Sequence, residues 1–255
     1  MAEDSSQIKK LVKVRVLMLI LTFLLLTGET TFSRQAELDN QYQQSKTLKE
    51  LNQVAEEIQK LIAYEPNQAE WEWRMARSNY SIAKLNKDTR QFDLCIQHSS
   101  RALEIKPDSA ISYFFRALCR GKKGETQGIW SSLGIIEPFE VDMKTALELD
   151  PTIQNGGPNR ALGMLYLELP FFLGGSKNQS IYHLREAVRL SPDHAENHLG
   201  LSEAYYSINN FTAARKSLST VLRLTDNVRN DEDLLKLRAK GQELMNKLTF
   251  ESQEP

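Results

Sequence analysis

What this chain lacks narrows its chemistry first. Its 255 residues hold no nucleophile elbow, no phosphate-binding glycine loop, no HExxH pair and no paired-cysteine metal motif. Gly156–Pro158 and Gly174-Gly175 lack the strand–loop–helix setting of a phosphate cradle, so they are read as turns. Cysteine is scarce: Cys95 and Cys119, with neither CxxC nor zinc spacing, make no disulfide framework. Charge of one sign is missing too, with 32 basic against 33 acidic residues and no like-charge block beyond the N-terminus. That balance argues against nucleic acid as a partner. No acid, base or nucleophile constellation stands out, so neither catalysis nor a cofactor is expected.

What is present begins with a leader. Lys9, Lys10, Lys13 and Arg15 precede an uninterrupted apolar run from Val16 to Leu26. This is a basic region followed by an apolar stretch of signal-peptide length, shorter than the roughly 17–25 residues that span a bilayer. Residues 1–33 are therefore expected to be a cleaved signal, with Thr31-Phe-Ser33 as best site, or an uncleaved membrane anchor. Either fate sends the remainder out of the cytoplasm, to the periplasm or cell envelope.

Past the leader one phrase recurs: Leu61-Ile-Ala-Tyr-Glu-Pro66, Ala102-Leu-Glu-Ile-Lys-Pro107, Ala146-Leu-Glu-Leu-Asp-Pro151, Ala187-Val-Arg-Leu-Ser-Pro192 and, without the proline, Val221-Leu-Arg-Leu-Thr-Asp226. Each reads as the end of an amphipathic helix, stopped by a residue that cannot continue it. The stops stand 41, 44, 41 and 34 residues apart. The last value is the tetratricopeptide period, and the chain resembles that family. The resemblance implies an all-α solenoid whose concave face and loops bind other proteins. Helix pairs are expected at about 34–66, 67–107, 108–151, 155–192 and 193–226, with a capping helix at 231–248. In the fifth pair Leu201, Ser202, Tyr205, Phe211, Ala214, Leu218 and Val221 supply the large and small residues where the repeat wants them. Thr47-Leu-Lys-Glu50 reads as a capping box, and 34–46 as a frayed first helix.

The surplus over the short period is expected in the turns inside each pair, near 86–91, 121–138 and 169–178. Two of these are apolar: Ile129, Trp130, Leu133, Ile135 and Ile136 in one, Pro170-Phe-Phe-Leu-Gly-Gly175 in the other. Such loops must lie on the solenoid itself, on a partner or on a ligand, and packing on the chain's own first helices is the expectation.

The fourth pair carries a second resemblance. Asn155-Gly-Gly-Pro-Asn-Arg160-Ala-Leu-Gly163 leads through Pro170 and Gly174-Gly175 to Pro192 and Asn197. This order is similar to the T component of TRAP transporters, over roughly 47–225 and most clearly over 155–206. It implies an exported module that engages a periplasmic solute-binding protein and encloses a hydrophobic ligand. The absence of a cysteine near the leader departs from the lipoprotein pattern of that family. The alternative is an envelope scaffold that assembles other proteins, with homo-oligomers within its reach.

Groove and loop candidates are Trp71, Arg74, Phe114, Leu118, Trp130, Arg160, Met164, Phe171, Phe172, Leu199 and Tyr206. Taken together they are aromatic and aliphatic, suited to an apolar segment or small hydrophobic molecule rather than to a peptide carboxylate. Arg160 stands in a first helical turn, where a cation opposes the dipole, so a carboxylate or loop carbonyls should hold it. His194 and His198 share a helix face without a third ligand, and no metal is expected. Cys95 and Cys119 read as two small buried hydrophobes, with a disulfide as the alternative in an oxidising compartment.

Overall fold

The computed structural model describes residues 32–127, 129–229 and 231–251, with backbone alone at 127, 129–132, 250 and 251. Residues 1–31 therefore lie outside the described residues, and of the expected leader only Phe32 and Ser33 are described, as the start of the first helix. Among these residues the chain is wholly helical: α1 (32–44), α2 (Leu48–Tyr64), α3 (Ala69–Asn86), α4 (Arg90–Ile105), α5 (Ala110–Gln127), α6 (Ile129–Leu149), α7 (Ile153–Glu168), α8 (Lys177–Leu190), α9 (Ala195–Tyr206), α10 (Phe211–Leu224) and α11 (Glu232–Glu251). A 3-10 turn, Phe171–Leu173, interrupts the fourth pair. None of these helices is long and apolar enough to cross a membrane.

The recurrent phrase does what its composition dictates. It supplies the last turns of α2, α4, α6, α8 and α10. Thr47 caps α2: its hydroxyl accepts from Glu50 N–H, and the Glu50 carboxylate accepts from Thr47 N–H. Those backbone bonds hold the exposed Glu50 carboxyl below its usual range.

Consecutive helices pack antiparallel, and the odd-numbered ones also touch each other, α3 to α5, α5 to α7, α7 to α9 and α9 to α11. They form the inner layer of a superhelix, with the even-numbered helices outside. Close approach needs small residues. Ala76, Ala117 and Ser202 are fully buried at matching places in α3, α5 and α9. Gly163 takes that place in α7, where an added Cβ would lie 2.5 Å from Leu184 Cγ. The curl brings the start of α11 back toward the first two pairs: Lys84 Nζ lies 3.5 Å from Asp233 and Lys46 Nζ 3.7 Å from Asp231.

Four expectations are corrected. Residues 32–44 form a regular helix, because buried Leu38 anchors it against Val54, Ile58, Trp71 and Met75. The surplus near 121–138 is not a loop: α5 runs to Gln127 and α6 restarts at Ile129, carrying Pro138 inside it. The surplus near 86–91 is likewise taken up mostly in helix, since α3 extends to Asn86 and α4 begins at Arg90. Finally, Cys95 and Cys119 are bonded to each other across α4 and α5. Both are buried and face one another with Cα atoms 6.2 Å apart, inside the range a bridge requires.

If Ala102, Ala187 and Ala214, all without solvent exposure, mark interhelical contacts, replacing any by Leu overpacks the solenoid. The expected loss is about 1–3 kcal/mol each in denaturant unfolding. No change at all three would reject this helix register.

Candidate functional site

The inner face is built from the sides of α3, α5, α7 and α9 that their outer partners leave uncovered. Tyr80 on α3 lies within electrostatic reach of Glu125 on α5, Arg160 on α7 and Glu196 on α9, so the four helices face one space. Burial first, then these carboxylates, push the Tyr80 phenol above its usual range. Half-buried Leu118 and Met164 lie on the inner helices α5 and α7, and half-buried Tyr206 at the end of α9. Toward the turn edge stand Glu125, Glu168 and Glu203, one on each of three successive inner helices. Burial and the neighbouring carboxylates raise Glu168 and Glu203 above the usual carboxylate range, while Lys122 and Lys240 oppose the shift.

Arg160 is the best-held cation of this face. Its guanidinium donates to Asn197 Oδ1 at 2.8 Å and lies 3.3 Å from Glu196. Asn197, wholly buried, donates in turn to the carbonyls of Ala187 at 2.9 Å and Asn155 at 3.0 Å. Residues Gln154, Asn155 and Gly156 adopt left-handed φ values of 49, 58 and 74°. This bend starts α7, and the Arg160–Asn197 pair fastens it to the next repeat. A carboxylate and loop carbonyls thus satisfy the cation, as its position in the first turn demanded.

Other predicted residues fall elsewhere. Trp71 is 1% exposed, its indole donating to Glu65 at 2.9 Å. Arg74 is buried against Asp39 and Glu70 and stacked over Trp73, 4.2 Å from the ring centroid. Phe114 is in the central core, edge-on to Phe115, and Leu199 is in the core beside Leu218. These four are interhelical packing, not groove lining: α1 and α2 cover the face of α3 bearing Trp71 and Arg74, and Phe114 and Leu199 are buried in two core clusters of their own. Trp130 begins α6, and its side chain lies outside the described residues. Phe171 and Phe172, expected to pack on the chain's own first helices, are instead 91% and 82% exposed. The loop that carries them is closed by its own backbone bonds and leaves the rings outside.

Sequence reasoning missed Tyr80, Lys84, Glu168 and Glu196 as inner-face residues. Tyr80 and Lys84 were legible in principle, being four apart on one side of α3. A separate polar set joins the third pair to the fourth, where Tyr166 Oη donates to Glu140 at 2.6 Å, and links the two helices of the fourth, where His183 Nδ1 meets Asn159 Oδ1 at 2.8 Å. Each spends its hydrogen bond on another side chain, and burial first, then Lys144, lower the His183 imidazole. This is the bonding of a joint between helices rather than of an acid–base pair awaiting substrate.

A tetratricopeptide-repeat family model matches residues 178–241. A thermophilic TPR protein of Thermus thermophilus superposes with a TM-score of 0.58, at 16% identity, covering 76% of this chain and 92% of that one. YrrB, a TPR protein with an unusual peptide-binding site, superposes at 0.50 and 14% identity, covering 78% and 98%. The fold is a tetratricopeptide-repeat solenoid. Curated relatives lie elsewhere: regulator of microtubule dynamics protein 1 of Mus musculus is 21% identical over 211 residues, covering 74% of this chain and 68% of the relative. The Bos taurus protein of the same name is 26% identical over 121 residues, covering 45% and 38%. Solenoids in general present a concave inner face and a turn edge as extended surfaces.

Two expectations test this geometry. Asn197→Ala strips bonds from the buried Ala187 carbonyl, the part-buried Asn155 carbonyl and the Arg160 guanidinium, and is expected to cost about 1–3 kcal/mol in urea unfolding. A wild-type midpoint for that variant would remove Asn197 from the joint. Glu196 is held down from 4.5 to about 2, chiefly by His194, whose Nε2 lies 3.5 Å away, and then by Arg160. A depressed folded value means its contribution is complete above the unfolded value and fades as pH falls from about 4.5 toward 2. Glu196→Gln should flatten that part of the stability–pH curve; an unaltered curve would contradict the pairing.

Proposed function

We propose that this chain is a non-enzymatic scaffold whose partner belongs to the microtubule system. The observation that carries the reading is a similarity spanning 211 residues, far more than a single repeat, to a protein named for regulating microtubule dynamics. A match built on helix periodicity alone would lose its phase at each irregular spacing; this one reaches across most of the unevenly spaced array. The inner face supports a protein rather than a small-molecule ligand: carboxylates and Arg160 alternate there with Leu118, Met164 and Tyr206. Such a mixed lining suits an extended or helical segment with both apolar and charged side chains. The full chain is expected to pellet with stabilised microtubules in a saturable, salt-sensitive way, and to alter their growth or shrinkage rates. Absence of both effects would defeat the reading.

A second reading, an exported module resembling the T component of TRAP transporters, is favoured by two observations. The basic and apolar leader is one. The other is the buried Cys95–Cys119 bridge, since such bonds persist chiefly in oxidising compartments. In that reading a solute-binding protein occupies the turn edge, and Leu118, Met164 and Tyr206 line a seat for a hydrophobic ligand. The two readings divide on compartment. Fusing residues 1–40 to a reporter active only outside the cytoplasm, and counting free thiols in protein purified from its native cell under denaturing conditions, separates them. A silent reporter with two free thiols excludes export; an active reporter with none excludes a cytoplasmic microtubule partner.

A further inference from the structure

Three joints between neighbouring pairs are fastened by polar groups. Asp39 receives Arg74 and Arg77 between the first and second pairs, Glu140 receives Tyr166 between the third and fourth, and Asn197 ties the fourth to the fifth. The joint between the second and third pairs is fastened covalently. Cys95 on α4 is bonded to Cys119 on α5, at a sequence separation of 24, with the exposed Lys123–Asp93 ion pair beside it. An exposed pair holds little by itself. The directional tie at this joint is therefore a bond whose existence depends on oxidation state.

The surroundings suit both oxidation states. Cys95 and Cys119 have no solvent exposure and belong to the central apolar cluster with Phe92 and Phe115. A free cysteine behaves as a small hydrophobe, so two thiols fit where the bridge fits. Cys95 Sγ also lies 3.6 Å from Phe115 O, an acceptor in place for its thiol proton. The bridge is placed to act on the inner face as well. Phe92 stands three residues before Cys95 and Phe115 four before Cys119, so each shares a helix face with its cysteine. Tyr80 on α3 packs against both rings, with centroids 6.3 Å apart in each case. Its phenol is the inner-face group within electrostatic reach of Arg160 and Glu196. Pinning α4 to α5 fixes the two walls of the seat in which Tyr80 lies.

We propose that the Cys95–Cys119 pair is a reversible clamp on the inner face. Bridged, it holds Tyr80 and the second and third pairs in one arrangement; reduced, it releases them while the solenoid stays folded. Closure is a thiol–disulfide exchange with glutathione disulfide or a protein disulfide as oxidant. The first cysteine, as thiolate, attacks the oxidant's S–S bond and releases one half as a thiol. The second cysteine then attacks the mixed disulfide and releases the other half. Two cysteine S–H bonds give way to one S–S bond, and the oxidant takes up two electrons and two protons as its own S–S bond becomes two thiols. Burial makes each exchange wait until α4 parts from α5, so the clamp follows a sustained redox setting and not a brief pulse. The inference rests on neither proposed partner, because it concerns the wall that any occupant of the inner face would meet.

The test compares three forms of the full chain by hydrogen–deuterium exchange read by mass spectrometry: bridged, kept reduced with a phosphine, and Cys95→Ala with Cys119→Ala. Alkylation after denaturation confirms no free thiol in the first and two in the second. Reduction is expected to preserve the helical circular-dichroism signal and to lower the melting temperature by roughly 6–12 °C. It should speed exchange by roughly threefold or more in α4, in α5 and in the part of α3 around Tyr80, with α9–α11 unchanged. The alanine variant should match the reduced protein and ignore the phosphine; if that variant does not fold, the reduced wild-type chain decides. Loss of the helical signal on reduction would overturn the proposal, since the bridge would then be an obligatory staple. Faster exchange confined to the peptides bearing residues 95 and 119, with α3 unmoved, would overturn it too, because the bond would not reach the inner face. Identical exchange in the bridged and reduced forms, or failure of the reduced chain to bridge with glutathione disulfide, would do the same.

Discussion

Close approach of the helices, within each pair and from one pair to the next, is the constraint on which this molecule depends. Each helix pair can bury only one side by itself, so the stripe left over must be covered by the next pair. Ala76, Ala117, Gly163 and Ser202 are buried at matching places, and Gly163 keeps α7 close to its outer partner α8, where an added Cβ would lie 2.5 Å from Leu184. A leucine at such a place would push an inner helix off its outer partner and disturb the stacking of the pairs. The groove, the turn edge and the placement of Glu125, Glu168 and Glu203 on one side of it all follow from this spacing. It also explains why helix order along the chain becomes helix order in space.

The joints are then specified by polar groups rather than by more hydrocarbon. Asp39 receives Arg74 and Arg77, and Asp142, itself buried, receives Arg116 and Arg120 at 2.6–2.9 Å. Arg77 is also stacked over Tyr42 at 3.8 Å from the ring centroid. Buried ion pairs contribute little net stability against an apolar substitute, but each leaves a costly charge if its partner is displaced. They penalise a slipped register more strongly than leucines, which accept many neighbours. Asn197 plays that part between the fourth and fifth pairs: its amide has three good partners in one arrangement only, and that arrangement includes the left-handed bend at 154–156.

These polar joints are also where the sequence became hard to read. Helix ends were legible because proline acts locally, and the fifth pair was legible because its large and small residues follow the repeat without interruption. Trp71, Arg74 and Phe114 were assigned to the groove as lying on sides of the first helices not used for repeat packing; Asp39 and Glu70, brought together by folding, are what make the burial of Arg74 tolerable. The 121–138 surplus read as a loop because the second helix was taken at ordinary length, yet α5 runs to Gln127 and α6 from Ile129. Phe171 and Phe172 were read as inward because apolar loop residues normally are. Nothing local announces that Gly175 and four backbone bonds turn them outward. The Cys95–Cys119 bridge depended on helix phase between neighbouring pairs, which spacing alone leaves open.

Curvature completes the argument. A solenoid whose repeats touch only their neighbours has no intrinsic reason to return on itself, yet Lys46 and Lys84 come within 4 Å of Asp231 and Asp233. Those pairs are largely exposed, and exposed pairs are worth about 0–1 kcal/mol each. The small-residue contacts, by contrast, are each backed by buried side chains at about 1.5–3 kcal/mol apiece. The curl is therefore imposed by the inner joints, and the closing ion pairs follow from it. A solenoid shaped by buried joints and joined across its ends by weak, exposed pairs keeps the packing of its helices fixed, while the contact between its ends can part at little cost.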